Sequence, residues 1–221
     1  MKMLQATPSL VEQVHQSILT DIAAGHLRPG ARIIQEQLAQ QLGISRQPVQ
    51  QALTLLRKEG VLSDAPGRGL QVAPLDLEHV RQMYDMRAVI EGLAFRKAAE
   101  KSAAQAASKG PALIRAGRKA VASGSFQAMI AADMAFHDFI YALSGNPLVG
   151  PSMHTHWTQT QRVMGEVLMR DDKPRDIWDQ HEALLAAVAS GDCEGAERLA
   201  RQHILDAANF MIDRMQAERA A

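Results

Sequence analysis

Leu10, Val11, Val14, Ile18, Leu19 and Ile22 recur three and four residues apart, which lays one apolar stripe along an α-helix, and Gly25 with Pro29-Gly30 ends the run. A shorter stretch from Glu36 to Leu42 sets Leu38, Ala39 and Leu42 on one side. Gly43-Ile44-Ser45 interrupts it, and Val49, Ala52, Leu53 and Leu56 then define a longer helix that stops at Glu59-Gly60. Ser45 suits the N-cap of that longer helix, because its hydroxyl can accept from a backbone N–H of the next turn. Pro48 falls within the same first turn, where a missing N–H does little harm. Residues 61–63 and 69–73 are short and apolar enough for two strands, joined by the turn-rich 64–68.

Beyond the compact Leu75-Asp76-Leu77 the strand patterns vanish and helical ones take over. The periodicity predicts helices over 76–107, 110–122, 125–143, 147–169, 174–190 and 192–217. They are separated by Gly110-Pro111, Gly124, Ser144-Gly145-Asn146-Pro147, Lys173-Pro174 and Gly191-Asp192. A chain of 221 residues accommodates two modest domains. The expected fold is therefore mainly α: a winged helix-turn-helix over 1–75, then an all-helical bundle of about six helices over 76–221.

Composition narrows the function. The formal net charge is zero, yet residues 1–75 carry seven Lys or Arg against five acids while 76–221 carry 17 against 19, so the first segment is positively tipped. No apolar run approaches the roughly 20 residues that cross a bilayer, and the N-terminus lacks the pattern of a secretory signal, which points to a cytoplasmic protein with no membrane partner. Cys193 is the single cysteine and cannot form an internal disulfide.

A helix-turn-helix presents the N-terminal residues of its second helix to base edges in the major groove of duplex DNA. Here those residues are Ser45, Arg46, Gln47, Gln50 and Gln51. Arg can pair with guanine and Gln with adenine, while Ser45 suits phosphate. Arg68, followed by Gly69 at the tip of the wing, can reach the backbone or the minor groove. The bland alternative is a three-helix domain with a solvated Gln-rich face; the wing makes it the poorer account.

The run PGARIIQEQLAQQLGISRQPVQQALTLLRKEGVL with GRGLQVAPL resembles the DNA-binding domain of the GntR family of bacterial regulators. LDLEHVRQMYDMRAVIEGLAFRKAAE resembles the start of the helical ligand (FCD) domain of the FadR subfamily. Members commonly carry Arg, as in VREAL, where this chain has Gln50, so the operator preference is expected to differ. The resemblance implies a homodimer on double-stranded operator DNA, usually a repressor, with two recognition helices about one helical turn apart.

The second segment also carries candidate metal chemistry. Asp133 and His137 lie four apart on one helix face with Ile130, Phe136 and Ile140. His181 shares a face with Leu184, Leu185 and Val188, and His203 with Leu199, Ala200 and Phe210. Each His alone is better explained as a hydrogen-bonded core residue. Together, three imidazoles and a carboxylate aimed inward are most economically satisfied by a divalent cation, and an Asp-x-x-x-His pair with a His on each of two later helices resembles the metal-containing branch of the FCD domain. Imidazole dominance favours zinc, with nickel or manganese compatible. Open coordination positions would accept a small carboxylate or hydroxyacid effector, and Arg87 and Arg162 are candidates to pair with that anion. For each the alternative is a surface salt bridge, such as Arg87 with Glu91. His154, His156 and Trp157 are ambiguous in facing. Two rivals remain at this stage: a metal-dependent hydrolase, for which no general base is placed by motif, and a regulator whose metal is purely structural.

Overall fold

The computed structural model describes residues 8–168 and 177–220. The break expected at Lys173-Pro174 lies outside them. The chain divides into two compact units, Met1–Leu75 and Asp76–Ala221, the boundary expected from the linker.

In the first unit α1 (Leu10–Ala23), α2 (Gln35–Leu42) and α3 (Arg46–Lys58) pack around Val14, Ile18, Val49, Ala52 and Leu56. Ser9 caps α1 in a full capping box with Glu12. Gly43 ends α2 in the left-handed conformation (φ 64°) that a Cβ would disfavour, and so makes the tight turn into α3. The sheet has three strands, β1 (Arg32–Ile33), β2 (Leu62–Asp64) and β3 (Leu70–Val72), in the order β1-β3-β2, all antiparallel. The two strands of the wing appear within a residue of expectation. β1 is not foreseen by the pattern, because two residues are too short to show alternation; Gly30 N–H donating to the Val72 carbonyl (2.9 Å) holds it in place.

The second unit contains α4 (Leu77–Ala122), α5 (Phe126–Leu143), α6 (Val149–Leu168), α7 (Trp178–Ala189) and α8 (Cys193–Ala220), with α5, α7 and α8 all packed on α4. Phe95, Phe136, Ile140, Trp178 and Leu184 form the centre of its main core. α4 is continuous in hydrogen bonding but non-helical at Ser102 (φ −140°, ψ 23°). Arg87 and Val121 line the same cavity, although a straight helix would hold them about 50 Å apart, so the chain bends sharply at Ser102. The Ser102 hydroxyl donates to the Leu143 carbonyl at the end of α5 (2.9 Å). The two limbs of α4 with α5 to α8 thus give the six helical segments expected.

The break falls eight residues before Gly110-Pro111, where the sequence placed it. Gly110 serves a different purpose: a Cβ there would come 2.3 Å from Leu185 Cδ1, and one at Gly117 would come 2.0 Å from the Trp178 ring. Two glycines seven apart on one face let α7 approach α4 closely, and this packing role is what imitates a helix stop in the sequence.

Candidate nucleic-acid interface and candidate metal centre

Val49, Ala52, Leu53 and Leu56 are buried, which turns the opposite face of α3 outward, and Ser45, Arg46, Gln47, Gln50 and Gln51 are all exposed. Ser45 occupies the N-cap with extended backbone, but its hydroxyl makes no capping bond. That corrects the capping expectation. The Arg46 side chain pairs with Glu36 of α2, and the Gln35 amide donates to the Arg46 carbonyl (3.0 Å), so α2 braces the start of α3. At the wing, Gly67 (φ 93°) and Gly69 (φ 98°) flank exposed Arg68. The Arg32 guanidinium donates to the Pro66 carbonyl (2.8 Å) and fastens the wing tip to β1. Arg57 pairs with Asp64 (2.8 Å), tying the end of α3 to β2.

Inside the second unit, His137 from α5, His181 from α7 and His203 from α8 are buried, and each offers a ligand atom within 4.8 Å of the others. His181 Nε2 lies 3.4 Å from His137 Nε2 and 3.3 Å from Asp133 Oδ1. Two nitrogens on one tetrahedral zinc, with bonds of about 2.0–2.1 Å, would stand about 3.3–3.4 Å apart, so the spacing fits. Asp133 approaches through His181 and stands outside the mutual cluster of imidazoles. His181 Nδ1 is buried without a hydrogen-bond partner among the described residues, whereas the other two second nitrogens meet acceptors: His137 Nδ1 is 2.6 Å from Glu91 Oε2 in an ion-pair contact, and His203 Nδ1 is 2.8 Å from Gln180 Oε1. These partners leave the Nε2 lone pairs to converge.

The protonation tendencies differ among the candidate ligands: burial alone would lower His137, but Glu91 and Asp133 outweigh it and raise its pKa. Burial, reinforced by His203 and His137, pushes His181 well below the ordinary imidazole value, into the neutral form that binds metals. Burial raises the Asp133 carboxyl even though His137 and Arg87 oppose it. Burial would raise Glu91 too, but His137 and Arg87 outweigh it and hold that carboxyl at about 2.

Glu91, fully buried, is the residue sequence reasoning passed over. Arg87 does pair with it (2.8 Å), as the alternative reading had it, but at 3% exposure the pair is interior and not on the surface. Arg87 also donates to Thr160 Oγ1 (3.0 Å), and its guanidinium lies 4.8 Å from the ring centroids of Tyr84 and Trp157. Trp157 is thereby buried and placed. His156 is half-buried, and burial lowers its pKa; His154 is exposed. Arg87, Asp133, His137 and His203 line one cavity. Arg162 is buried, donates to Gln159 Oε1 (3.0 Å) and is not among the residues lining that cavity; Thr160 and Met164 are what α6 supplies there. Burial lowers Arg162 to about 10.

Two family descriptions cover this architecture: residues 10–72 match the gntR family of bacterial regulatory proteins, and residues 82–206 match the FCD domain. The chain belongs to the GntR family, with an FCD domain. This GntR-type chain is 28% identical to the HTH-type transcriptional regulator McbR of Escherichia coli K12 over 85% of its own length and 86% of that protein's. It is 30% identical to an uncharacterized HTH-type regulator from an unstable DNA locus of Streptomyces ambofaciens, over 80% of this chain and 75% of that one. The solved structure of E. coli McbR/YncC superposes with a TM-score of 0.78 at 25% identity, covering 93% of this chain and 98% of that one. A GntR regulator from Rhodococcus sp. RHA1 shares the fold, with a TM-score of 0.76 at 21% identity over 93% and 99% of the two chains. A GntR–FCD regulator binds DNA and is not an enzyme, which sets the hydrolase alternative aside. Among the described residues no helix is long and apolar enough to cross a membrane.

Proposed function

We propose that this GntR–FCD regulator is a cytoplasmic homodimeric repressor that reads a double-stranded operator with α3 and is released from it by a small carboxylate or hydroxyacid held at a divalent cation. Arg46, Gln47, Gln50 and Gln51 would meet base edges, and Ser45, Arg68 and the Gly69 backbone would meet phosphate or the minor groove. Exposure of Ser45, Arg46, Gln47, Gln50 and Gln51 at the start of α3, whose opposite face is packed, and of Arg68 and Gly69 at the wing tip supports that assignment. A relative 22% identical over 91% of the chain is named a transcriptional repressor, RspR of E. coli K12, and that favours repression.

The observation that carries the metal reading is the convergence of three buried imidazoles from three helices, with Asp133 beside one of them. Those four side chains would hold zinc, nickel or manganese, and the ion would supply Lewis-acid attraction for a carboxylate. Arg87 adds positive charge to the same cavity, but its bond to Glu91 makes it a secondary contact. Arg162, buried on α6 and bonded to Gln159, is not among the residues lining the cavity, so the ligand contact is assigned to Arg87.

Such a ligand works by differential affinity for the arrangement of the dimer that leaves DNA. The test is fluorescence anisotropy of a labelled duplex from the gene's own upstream region, with protein loaded with zinc or stripped by chelator, titrated with 2-hydroxy acids. The proposal predicts release that depends on both metal and acid. Release by neither, with no acid changing the melting temperature of zinc-loaded protein, would make the metal purely structural.

A further inference from the structure

The cavity beside the imidazoles has two chemically different parts. Its polar side chains gather where the helices carry Asp133, His137, His203, Gln180, Arg87 and Thr160. On α5, α6, α7 and α8 the helix continues from these into apolar lining. Met129 precedes Asp133 by one turn on α5, and Met164 follows Thr160 by one turn on α6. Trp178 precedes His181 on α7, while Ala207, Phe210 and Met211 follow His203 on α8. α5 and α6 are packed together and joined by five residues, and α7 and α8 are packed together and joined by three, so each pair runs antiparallel. Gly117 of α4 meets Trp178 while Gly110 meets Leu185, so α7 runs antiparallel to the second limb of α4, as α5 does after its three-residue connection, and α5 and α7 share a direction; stepping backward on them is the same direction as stepping forward on α6 and α8. All four helices become apolar toward one end of the bundle. Val121, one residue before the end of α4 and five before the start of α5, lines that end too.

From this we infer that the effector is a monocarboxylate with an extended apolar body, its acid group at the imidazole end and its chain lying along Met129, Met164, Phe210 and Met211. The inference rests on the carboxylate reading above and gives it a substrate class. Phe210 stands seven residues past His203, about 10 Å along α8, which matches a body of roughly six to eight carbons. The hydroxyls of a sugar acid would face this wall with no partner, a loss comparable to an unmade buried hydrogen bond each. Methionines on three sides give a wall that adapts to chain shape. Charge points the same way. Arg87 and Glu91 cancel, a divalent ion held there would exceed Asp133 by one unit, and a single carboxylate would complete neutrality. A tricarboxylate would leave the buried site with two excess negative charges.

The experiment is calorimetric titration of zinc-loaded full-length protein with 2-hydroxypropanoate, 2-hydroxyhexanoate, 2-hydroxyoctanoate and citrate, alongside thermal melts. Burial of each methylene predicts a gain of about fourfold in affinity, from roughly 0.8 kcal/mol per CH2, up to the octanoate. In M211N, and independently in M164Q, the dependence on chain length flattens while the shortest acid binds as before. Equal affinities across the series in the parent protein, or tighter binding of citrate, overturn the inference and leave the carboxylate reading standing. If no acid of any length binds, the carboxylate reading fails and this inference falls with it.

Discussion

Replacing Glu91 by Gln removes the one carboxylate that lies between Arg87 and His137 in the interior of the helical unit. The side chain keeps its shape, so the change is electrostatic: Arg87, at 3% exposure, loses its partner. Its magnitude can be worked two ways. Holding the carboxyl at about 2 against its ordinary 4.5 corresponds to roughly 3 kcal/mol, at 1.36 kcal/mol for each tenfold change. Breaking a buried ion pair by removing one partner costs about 3–5 kcal/mol in other proteins. Because the folded pKa is depressed, the stabilisation is fully present above pH 4.5. It declines as pH falls and is nearly gone at pH 2.

Both tryptophans, Trp157 and Trp178, lie in the helical unit, so urea unfolding followed by their fluorescence reports that unit alone. Metal-free E91Q should unfold with about 3 kcal/mol less stability at pH 7, and the gap to the parent should narrow as pH is lowered below 4.5. Zinc affinity should also weaken by about 10- to 100-fold, since Glu91 orients a ligand imidazole. Unfolding of E91Q at the parent's urea midpoint at pH 7, or a gap that does not change with pH, would refute the assignment of Glu91 as the ionised keystone of this cluster.

Other expectations follow from the same geometry. G117A drives a methyl group to within 2.0 Å of the Trp178 ring and should cost about 1–3 kcal/mol in the same urea assay. Chelation should lower the fluorescence-detected melting temperature of the parent, with free zinc at 100 times its Kd contributing about 2.7 kcal/mol; H181A should show no such response. E36Q frees Arg46 from its intramolecular pair and should tighten operator binding by about two- to fivefold in anisotropy, the range set by an exposed ion pair of up to about 1 kcal/mol. R68A should weaken binding evenly across operator sequences, and the slope of log affinity against log salt should become shallower by about 0.9 for each phosphate that Arg68 had neutralised.

Much of this was legible in the chain because periodicity and capping chemistry are local. The four inward positions of α3, the wing and the Leu75–Asp76 boundary appear where the spacing puts them. His137, His181 and His203 could be brought together on paper because each shares a face with core residues. What escaped was set by tertiary packing. Gly110 reads as a breaker, yet it and Gly117 are places where another helix comes close, and only the neighbours Leu185 and Trp178 reveal it. Ser102 is not a residue that marks a helix stop by itself; at the bend its hydroxyl meets the carbonyl of Leu143, 41 residues away, a contact that no local pattern shows. The i,i+4 spacing of Arg87 and Glu91 was visible, but spacing does not distinguish an exposed pair from a buried one. Arg162 faces away from the cavity because Thr160 and Met164, one turn apart, face it.

The claim on which the rest stands is that the exposed start of α3 chooses a DNA sequence. Selection of duplexes from a randomised pool by full-length protein, repeated with R46A, addresses it directly. The account predicts enrichment of a short motif present twice, with centres about one helical turn apart, and loss or relaxation of that motif in the variant. A parent protein that enriches no sequence, or an R46A protein that enriches the identical motif with equal strength, would contradict it.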